Sequence, residues 1–350
     1  MRVGRHFPGI VLAAWSLVSA SCGGGSPDLP SSPTPSTPAP VAALPSVAAD
    51  PEDESPVPDP VPSPVPSPPV PPPIPTPIGD PPVSGQTAVL MGAGDMGDCG
   101  LPGTALTARL LSGSIFTLGD HAYPNGNPED FRDCYDPHWG RFRAATRPTP
   151  GNHDNYERGS RVGRPYYEYF GSNAGNGSGY YSYDAGAWHV ISLNSEIMDR
   201  GSQEQAHLVW LRADLAARDV ACTLVYFHRP LFSSGANAAE RMRRVWEVLY
   251  PAGVDLVLNG HEHFYERFAP QDPGGRPDVA FGIRQLIVGT GGARFLRAGA
   301  RAANSEMVIQ GVWGVAKLTL SSTGYNWEFI DVDRVVRDSG RGRCHGKPVR

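Results

Sequence analysis

Between Pro27 and Pro82 lie 23 of the chain's 37 prolines, and this block decides where a fold can form. Most of the remaining residues there are Ser, Val, Ala and Thr; the seven charged residues are all acidic, and no Lys or Arg occurs between Arg5 and Arg109. Proline fixes φ and removes a backbone donor, so helix and sheet interiors reject it at this density. The stretch also has too little apolar surface to offset its ordering entropy. It is therefore expected to be an extended spacer, at most about 3.1 Å per residue. The 350 residues then divide into 1–22, an apolar leader; 23–85, the proline-rich linker; 86–333, one globular domain; and 334–350, a short basic tail expected to fray.

Arg2 and Arg5 precede the apolar run IVLAAWSLVSA, which is too short to span a bilayer and reads as an export signal. Val18, Ser19 and Ala20 suit secretory cleavage. The Ser-Ala-Ser before Cys22 also resembles a lipoprotein signal, with Ser19 standing where Leu is usual. The product is read as exported, either a cell-surface lipoprotein or freely secreted, touching membrane only through a lipid anchor at Cys22. Export brings an oxidising compartment. Cys99, Cys134, Cys222 and Cys344 then allow three pairings. Cys99 with Cys134 is the first expectation, because each closely follows a strand-end loop; Cys222 opens an apolar strand and could simply be buried. A net charge of −5 without a basic stripe argues against nucleic acid as a main partner.

Within 86–333, short β-branched runs alternate with helix-period runs. Strands are expected at TAVLMGA, SIFTL, WHVISLN, CTLVYFH, VDLVLNG, IRQLIVGT, GVAKLTLS and YNWEFIDV. Helices are expected over GTALTARLLS, SQEQAHLVWLRADLAAR and NAAERMRRVWEVLY; the second carries a Ser202/Gln205 capping-box signature and a Leu208, Leu211, Leu215 stripe. The pattern implies an α/β fold, a sandwich of two mixed sheets with helices outside.

The strand ends carry the chemistry. VLMGAGD delivers Asp95; IFTLGD delivers Asp120, with Tyr123 three residues on; TRPTPGNHD delivers Asn152 and His153; TLVYFH delivers His228; and VDLVLNGHEH delivers His261 and His263. In open α/β sheets, ligands gather at the carboxyl ends of strands. His261 and His263, at i and i+2, suit one imidazole for each of two metals about 3.5–4 Å apart. A carboxylate such as Asp120 can bridge two ions, and Asn152 supplies a neutral oxygen.

In order, Gly94-Asp95, Gly119-Asp120-x-x-Tyr123, Gly151-Asn152-His153-Asp154, Val225-x-x-His228 and Gly260-His261-x-His263 resemble the five motifs of purple acid phosphatases, within the calcineurin-like metallophosphoesterase superfamily. The resemblance covers roughly residues 88 to 332 and implies a four-layer α/β/β/α domain. It implies one metal held by Asp95, Asp120, Tyr123 and His263 and a second held by Asp120, Asn152, His228 and His261. In the first site a tyrosinate would hold Fe(III); the second would take divalent zinc, manganese or iron. A metal-bound hydroxide would attack a small-molecule phosphate monoester, with His153 as charge-stabilising donor or general acid and Asp154 orienting it. A phosphodiesterase acting on nucleotides or phospholipid head groups, and a non-catalytic surface protein on a proline-rich stalk, are the alternatives. His121 is left outside the site, His189 reads as a core histidine, and His207 has no motif context. The insert NYERGSRVGRPYYEYFGSNAGNGSG is expected as a loop near the site mouth.

Overall fold

Two β-sheets share one apolar core in the computed structural model, which describes residues 87–154, 163–198 and 200–348. The expected export signal, Cys22 and the proline-rich stretch lie outside the described residues. The six-stranded sheet has the order β13-β12-β11-β1-β2-β3. Here β1 is Ala88–Ala93, β2 Ser114–Leu118, β3 Thr146–Thr149, β11 Gly314–Ser321, β12 Gly324–Asp331 and β13 Val336–Arg343. The seven-stranded sheet has the order β10-β8-β9-β7-β6-β5-β4. Its strands are β4 Tyr181–Ala185, β5 Trp188–Ser192, β6 Cys222–Tyr226, β7 Leu256–Asn259, β8 Tyr265–Phe268, β9 Arg284–Val288 and β10 Ser305–Ile309. Both sheets are mixed: β1, β2 and β3 run parallel, as do β5, β6, β7 and β9, while the flanking strands are antiparallel. This is the two-sheet sandwich expected from the sequence.

Strand alternation builds the layers. Leu224 and Tyr226 of β6 face the core between the sheets, which also takes Phe116 and Leu118 from β2 and Leu318 and Leu320 from β11. Val225 of β6 and Phe227 just beyond it face the other way. There they meet Leu208, Leu211 and Leu215 of α4 (Ser202–Ala217), and Val245, Trp246 and Leu249 of α5 (Arg243–Leu249). Each such side chain contributes about 1.5–3 kcal/mol on full burial. The shorter helices are α1 (Gly103–Ala108), α2 (Pro128–Asp130) and α3 (Arg164–Phe170).

Three expectations need correction. The α4 capping box does not form: Ser202 is already the first helical residue, and Gly201 stands at the cap with no side-chain bond. The segment expected to fray beyond residue 334 instead forms β13, which pairs with β12 from Gly324↔Arg343 to Ile330↔Val336. Glycines at 340 and 342 hid this strand; each lies directly against an aromatic ring of β12, Trp327 and Tyr325 respectively, where a Cβ would collide. Finally, the described part of the 155–179 insert is not a simple loop. It contains α3, whose Tyr166 and Phe170 are buried.

Cys99 is bonded to Cys134, as expected, and Cys222 is not merely buried but bonded to Cys344. The second bridge joins the start of β6 to the end of the β12–β13 hairpin, tying the two sheets across a separation of 122 residues. On chain-entropy grounds a loop of that length is worth roughly 4–5 kcal/mol.

His189 is a core residue, with Nε2 2.6 Å from Asp214 Oδ2. His207 is different. It is fully buried on α4, stacked 4.4 Å from the Tyr180 ring, and neither ring nitrogen has a hydrogen-bond partner among the described residues. Burial pushes its pKa down from 6.5 to about 3. The unfolded chain therefore takes up this proton first, so the contribution to stability is intact above pH 6.5 and is lost as pH falls toward 3. At pH 5 the loss amounts to about 2 kcal/mol, since one pH unit corresponds to about 1.36 kcal/mol. His207→Phe, which keeps the ring stack, is expected to flatten the acid limb of stability by about that amount; denaturant unfolding at pH 5 and pH 7 measures it. An equal loss in both proteins would contradict this.

Candidate metal centre

Parallel strands bring their carboxyl ends to one place. Asp95 follows β1, Asp120 follows β2, Asn152 and His153 follow β3, His228 follows β6, and His261 and His263 follow β7. Backbone bonds stitch these ends together. Gly94 N–H donates across the sandwich to Val288 C=O at 2.8 Å, Asp95 N–H to Gly119 C=O at 3.0 Å, and Met96 N–H to Asp120 C=O at 2.9 Å. Asp95, Asp120 and His261 are held at φ 61, 54 and 71°, the left-handed region that residues with a Cβ rarely adopt. Such strain costs about 1–3 kcal/mol per residue and persists where the surroundings over-determine it. Gly151 has to be glycine, because a Cβ there would strike the Asp120 carboxylate.

All seven side chains predicted as ligands lie in one cluster, and Asp120 joins its two halves. On one side Tyr123 Oη is 3.1 Å from each of Asp95 Oδ1, Asp120 Oδ2 and His263 Nε2. His263 Nε2 is also 3.3 Å from Asp95 Oδ1. On the other side His228 Nε2 is 3.3 Å from the same Asp120 Oδ2 and 3.0 Å from Asn152 Oδ1. His261 Nδ1 is 3.1 Å from His228 Nε2. Asp120, His228 and His261 offer ligand atoms within 4.8 Å of one another.

The donor set fits a cation in each half. One phenol proton cannot satisfy three surrounding acceptors, so lone pairs on Asp95, Asp120 and His263 face a common centre. His228 Nδ1 donates to Leu118 C=O at 2.7 Å, and His263 Nδ1 donates to Arg294 C=O at 2.5 Å. Each contact fixes the tautomer that leaves Nε2 free to bind a metal. The charge balance agrees. Burial, then the carboxylates of Asp120 and Asp95, hold the Tyr123 phenol well above 10. Burial opposes ionisation of Asp120, yet His228 and His153 bring it below the usual carboxylate range. Burial would likewise neutralise His228, but Asp120 raises it instead. Burial, then His228 and Arg229, push His261 the other way and keep it neutral.

A second layer orients the first. His153 donates from Nδ1 to Pro124 C=O at 2.5 Å, which leaves Nε2 4.0 Å from Asp120 Oδ2 on a ring still 37% exposed. It therefore lies at the edge of the cluster on a partly exposed ring. Asp154 does not orient it. The buried Asp154 carboxylate accepts from the backbone N–H of Asp120 (2.8 Å) and of Gly151 (2.9 Å), and pairs with His121 Nδ1 at 2.8 Å. His121 closes the arrangement with Nε2 2.6 Å from Thr117 Oγ1, behind the site and out of it. Asp154 thus clamps the β2 and β3 loops to each other.

Sequence reasoning missed Arg229. Its Nη1 donates to His261 Nε2 at 2.8 Å, while Nε donates to both Glu196 oxygens at 2.9 and 3.0 Å. Its place directly after His228 was a signal; Glu196, on the loop after β5, offered none.

A family model described as calcineurin-like phosphoesterase matches residues 88–265. Purple acid phosphatase 15 of Arabidopsis thaliana is 32% identical over 217 residues, covering 49% of this chain and 40% of that protein. Among solved structures, a purple acid phosphatase from yellow lupin (Lupinus luteus) seeds superposes with a TM-score of 0.62 at 19% identity, covering 74% of this chain and 54% of that one. GAP50, described as the anchor in the inner membrane complex of Plasmodium, gives 0.59 at 16% identity, covering 75% of this chain and 90% of that one. At these identities the structural likeness carries the fold alone. The chain spans about two fifths of the Arabidopsis relative's length.

The Asp154 clamp is open to test. Asp154→Asn would turn an amide N–H₂ toward backbone donors and leave one buried partner unmade, at about 1–3 kcal/mol. Thermal unfolding is expected to show a lower midpoint than wild type; a coincident melt would mean that the two loops hold without the carboxylate.

Proposed function

The chain belongs to the calcineurin-like phosphoesterase family, and from that premise we propose that it hydrolyses small-molecule phosphate monoesters at a binuclear metal centre. One observation carries the reading: a single carboxylate oxygen, Asp120 Oδ2, lies within 3.1 Å of Tyr123 Oη and 3.3 Å of His228 Nε2, so both half-sites share it. Asp95, Asp120, Tyr123 and His263 would hold one ion, and Asp120, Asn152, His228 and His261 the other. The phenol favours Fe(III) in the first, because a trivalent ion offsets the burial and carboxylates that otherwise keep Tyr123 protonated. A divalent zinc, manganese or iron ion suits the second, whose donors are two imidazoles, a neutral amide and the shared carboxylate.

Bound cations would supply Lewis acidity toward the ester oxygens and toward water. The chain's own residues do the rest. Asp120, held at φ 54° by the β1 and β2 ends, keeps the two half-sites in fixed register. Asn152 adds an oxygen without charge, which preserves positive potential for an anionic ester. His153, steered by Pro124 C=O, presents Nε2 at the edge of the cluster, where it can give a proton to the departing alcohol. Arg229 keeps His261 oriented from behind. The intact donor set disfavours an inert surface protein. The export signal and spacer expected from the sequence would suit an enzyme acting outside the cell, lipid-anchored or free.

Two measurements test this. The aerobically purified protein is expected to show a broad visible absorption band, lost in Tyr123→Phe, that reports phenolate bound to ferric iron. Hydrolysis of p-nitrophenyl phosphate is expected to exceed that of bis(p-nitrophenyl) phosphate by at least about tenfold, a difference of about 1.4 kcal/mol in activation free energy. A colourless active protein would remove the iron assignment, and a reversed rate ratio would establish a phosphodiesterase.

A further inference from the structure

Between Asp278 and Glu306 the chain has no acidic residue, yet it carries Arg284, Arg294, Arg297 and Arg301. Arg284 is paired with Glu306 at 2.7 Å. The other three are exposed, and none makes a side-chain hydrogen bond or ion pair with any described residue. Several arginines around the core are partnered, Arg229 with Glu196, Arg267 with Asp338 and Arg337 with Asp331, whereas Arg109, Arg341 and Arg343 share the unpaired state of these three. What sets the 294–301 segment apart is that its three unmatched guanidinium groups sit on backbone bonded to the candidate ligands.

The backbone carrying them is fixed against the metal centre. Arg294 C=O accepts from His263 Nδ1 at 2.5 Å, and Ala293 N–H donates to Asp95 C=O at 2.9 Å. Phe295, 40% exposed, packs at a tilt with its ring centroid 4.9 Å from that of Trp313, whose Nε1 donates to Ala293 C=O at 2.9 Å. Further along, Gly299 N–H donates to Ser234 C=O at 2.6 Å and Ala302 N–H to Ser234 Oγ at 2.8 Å. Ser234 belongs to the loop after His228 and is itself held by Glu266. The segment therefore runs from one candidate ligand to the loop following another, and Arg297 lies at most about 11 Å of chain beyond Arg294. The held backbone keeps these exposed arginines in the neighbourhood of the candidate ligands, and a guanidinium fork suits phosphate or carboxylate.

We infer that the 294–301 segment is a specificity element selecting phosphate esters that carry a second anionic group besides the scissile phosphate. This rests on the monoesterase reading above and adds the substrate class to it. The test uses the full metal-loaded chain with three alkyl esters: propyl phosphate, 1,3-propanediol bisphosphate and 3-phosphooxypropanoate. The last two separate a phosphate from a carboxylate as the second group. At low salt, kcat/KM is expected to favour the bisphosphate over propyl phosphate by about tenfold, the preference shrinking as ionic strength rises. In Arg297→Ala/Arg301→Ala the preference should collapse to about twofold or less, with propyl phosphate turnover little changed. Arg341→Ala, which removes an exposed arginine on β13, should keep the preference and so separate local contact from general charge. No preference in wild type, or one that survives the double variant, overturns the inference while propyl phosphate turnover still upholds the monoesterase reading. Absence of any monoester turnover sinks that reading instead; calorimetric binding of the same esters then judges the segment, and equal affinities for all three would overturn it.

Discussion

Everything at this site depends on where the Asp120 carboxylate is held. Its Oδ2 is shared between a tyrosine-containing half and a histidine-containing half, and its Oδ1 accepts from His153 N–H at 2.8 Å. To reach both halves, the residue leaves β2 in a left-handed conformation, and the cost of that conformation is met by neighbours on several strands. Met96 N–H binds its carbonyl, Asp154 binds its amide, and Gly151 leaves room for its carboxylate. The sandwich can be regarded as the scaffold that brings these restraints together. The Cys222–Cys344 bridge and the cross-sheet bond from Gly94 to Val288 keep the two sheets in register around it.

The electrostatics follow from the same placement. Carboxylates, a phenol and imidazole lone pairs converge in a buried volume, an arrangement that is unfavourable unless positive charge enters. Asp120 drives His228 toward the imidazolium, and burial with the carboxylates of Asp120 and Asp95 disfavours ionisation of the Tyr123 phenol. Backbone carbonyls of Leu118 and Arg294 hold the two imidazoles so that the opposite nitrogen faces the cluster. Orientation of the ligands is thus built into the fold, and His153 is left at the exposed edge, where substrate would arrive.

Much of this was legible in the sequence, and the reasons are physical. Apolar runs that stop at Asp, Asn or His mark strand ends, and parallel strands collect their ends on one side, so order and spacing pointed to the cluster, while the resemblance supplied the ligand set, with Tyr123 in it. β2, β6, β7 and β11 showed themselves through runs of β-branched residues. β3, short and interrupted by Pro148, was legible only as the strand end before Asn152, and β13 was hidden by alternating arginines and glycines whose partner face is aromatic. Contacts between distant segments were the hardest to read. Asp154 turned from His153 to the Asp120 loop, and Glu196 reached Arg229 across the sheet edge, because such choices depend on loop geometry that no local pattern encodes.

The most direct check on the central claim is a crystal structure of the metal-loaded protein, with anomalous scattering recorded above and below the absorption edges of iron and zinc. Two peaks are expected, one among Asp95, Tyr123 and His263 and one among Asn152, His228 and His261, with the Asp120 carboxylate between them and bound to both. A single peak, or two peaks of which only one touches Asp120, would contradict the account of Asp120 as the shared ligand that organises the site.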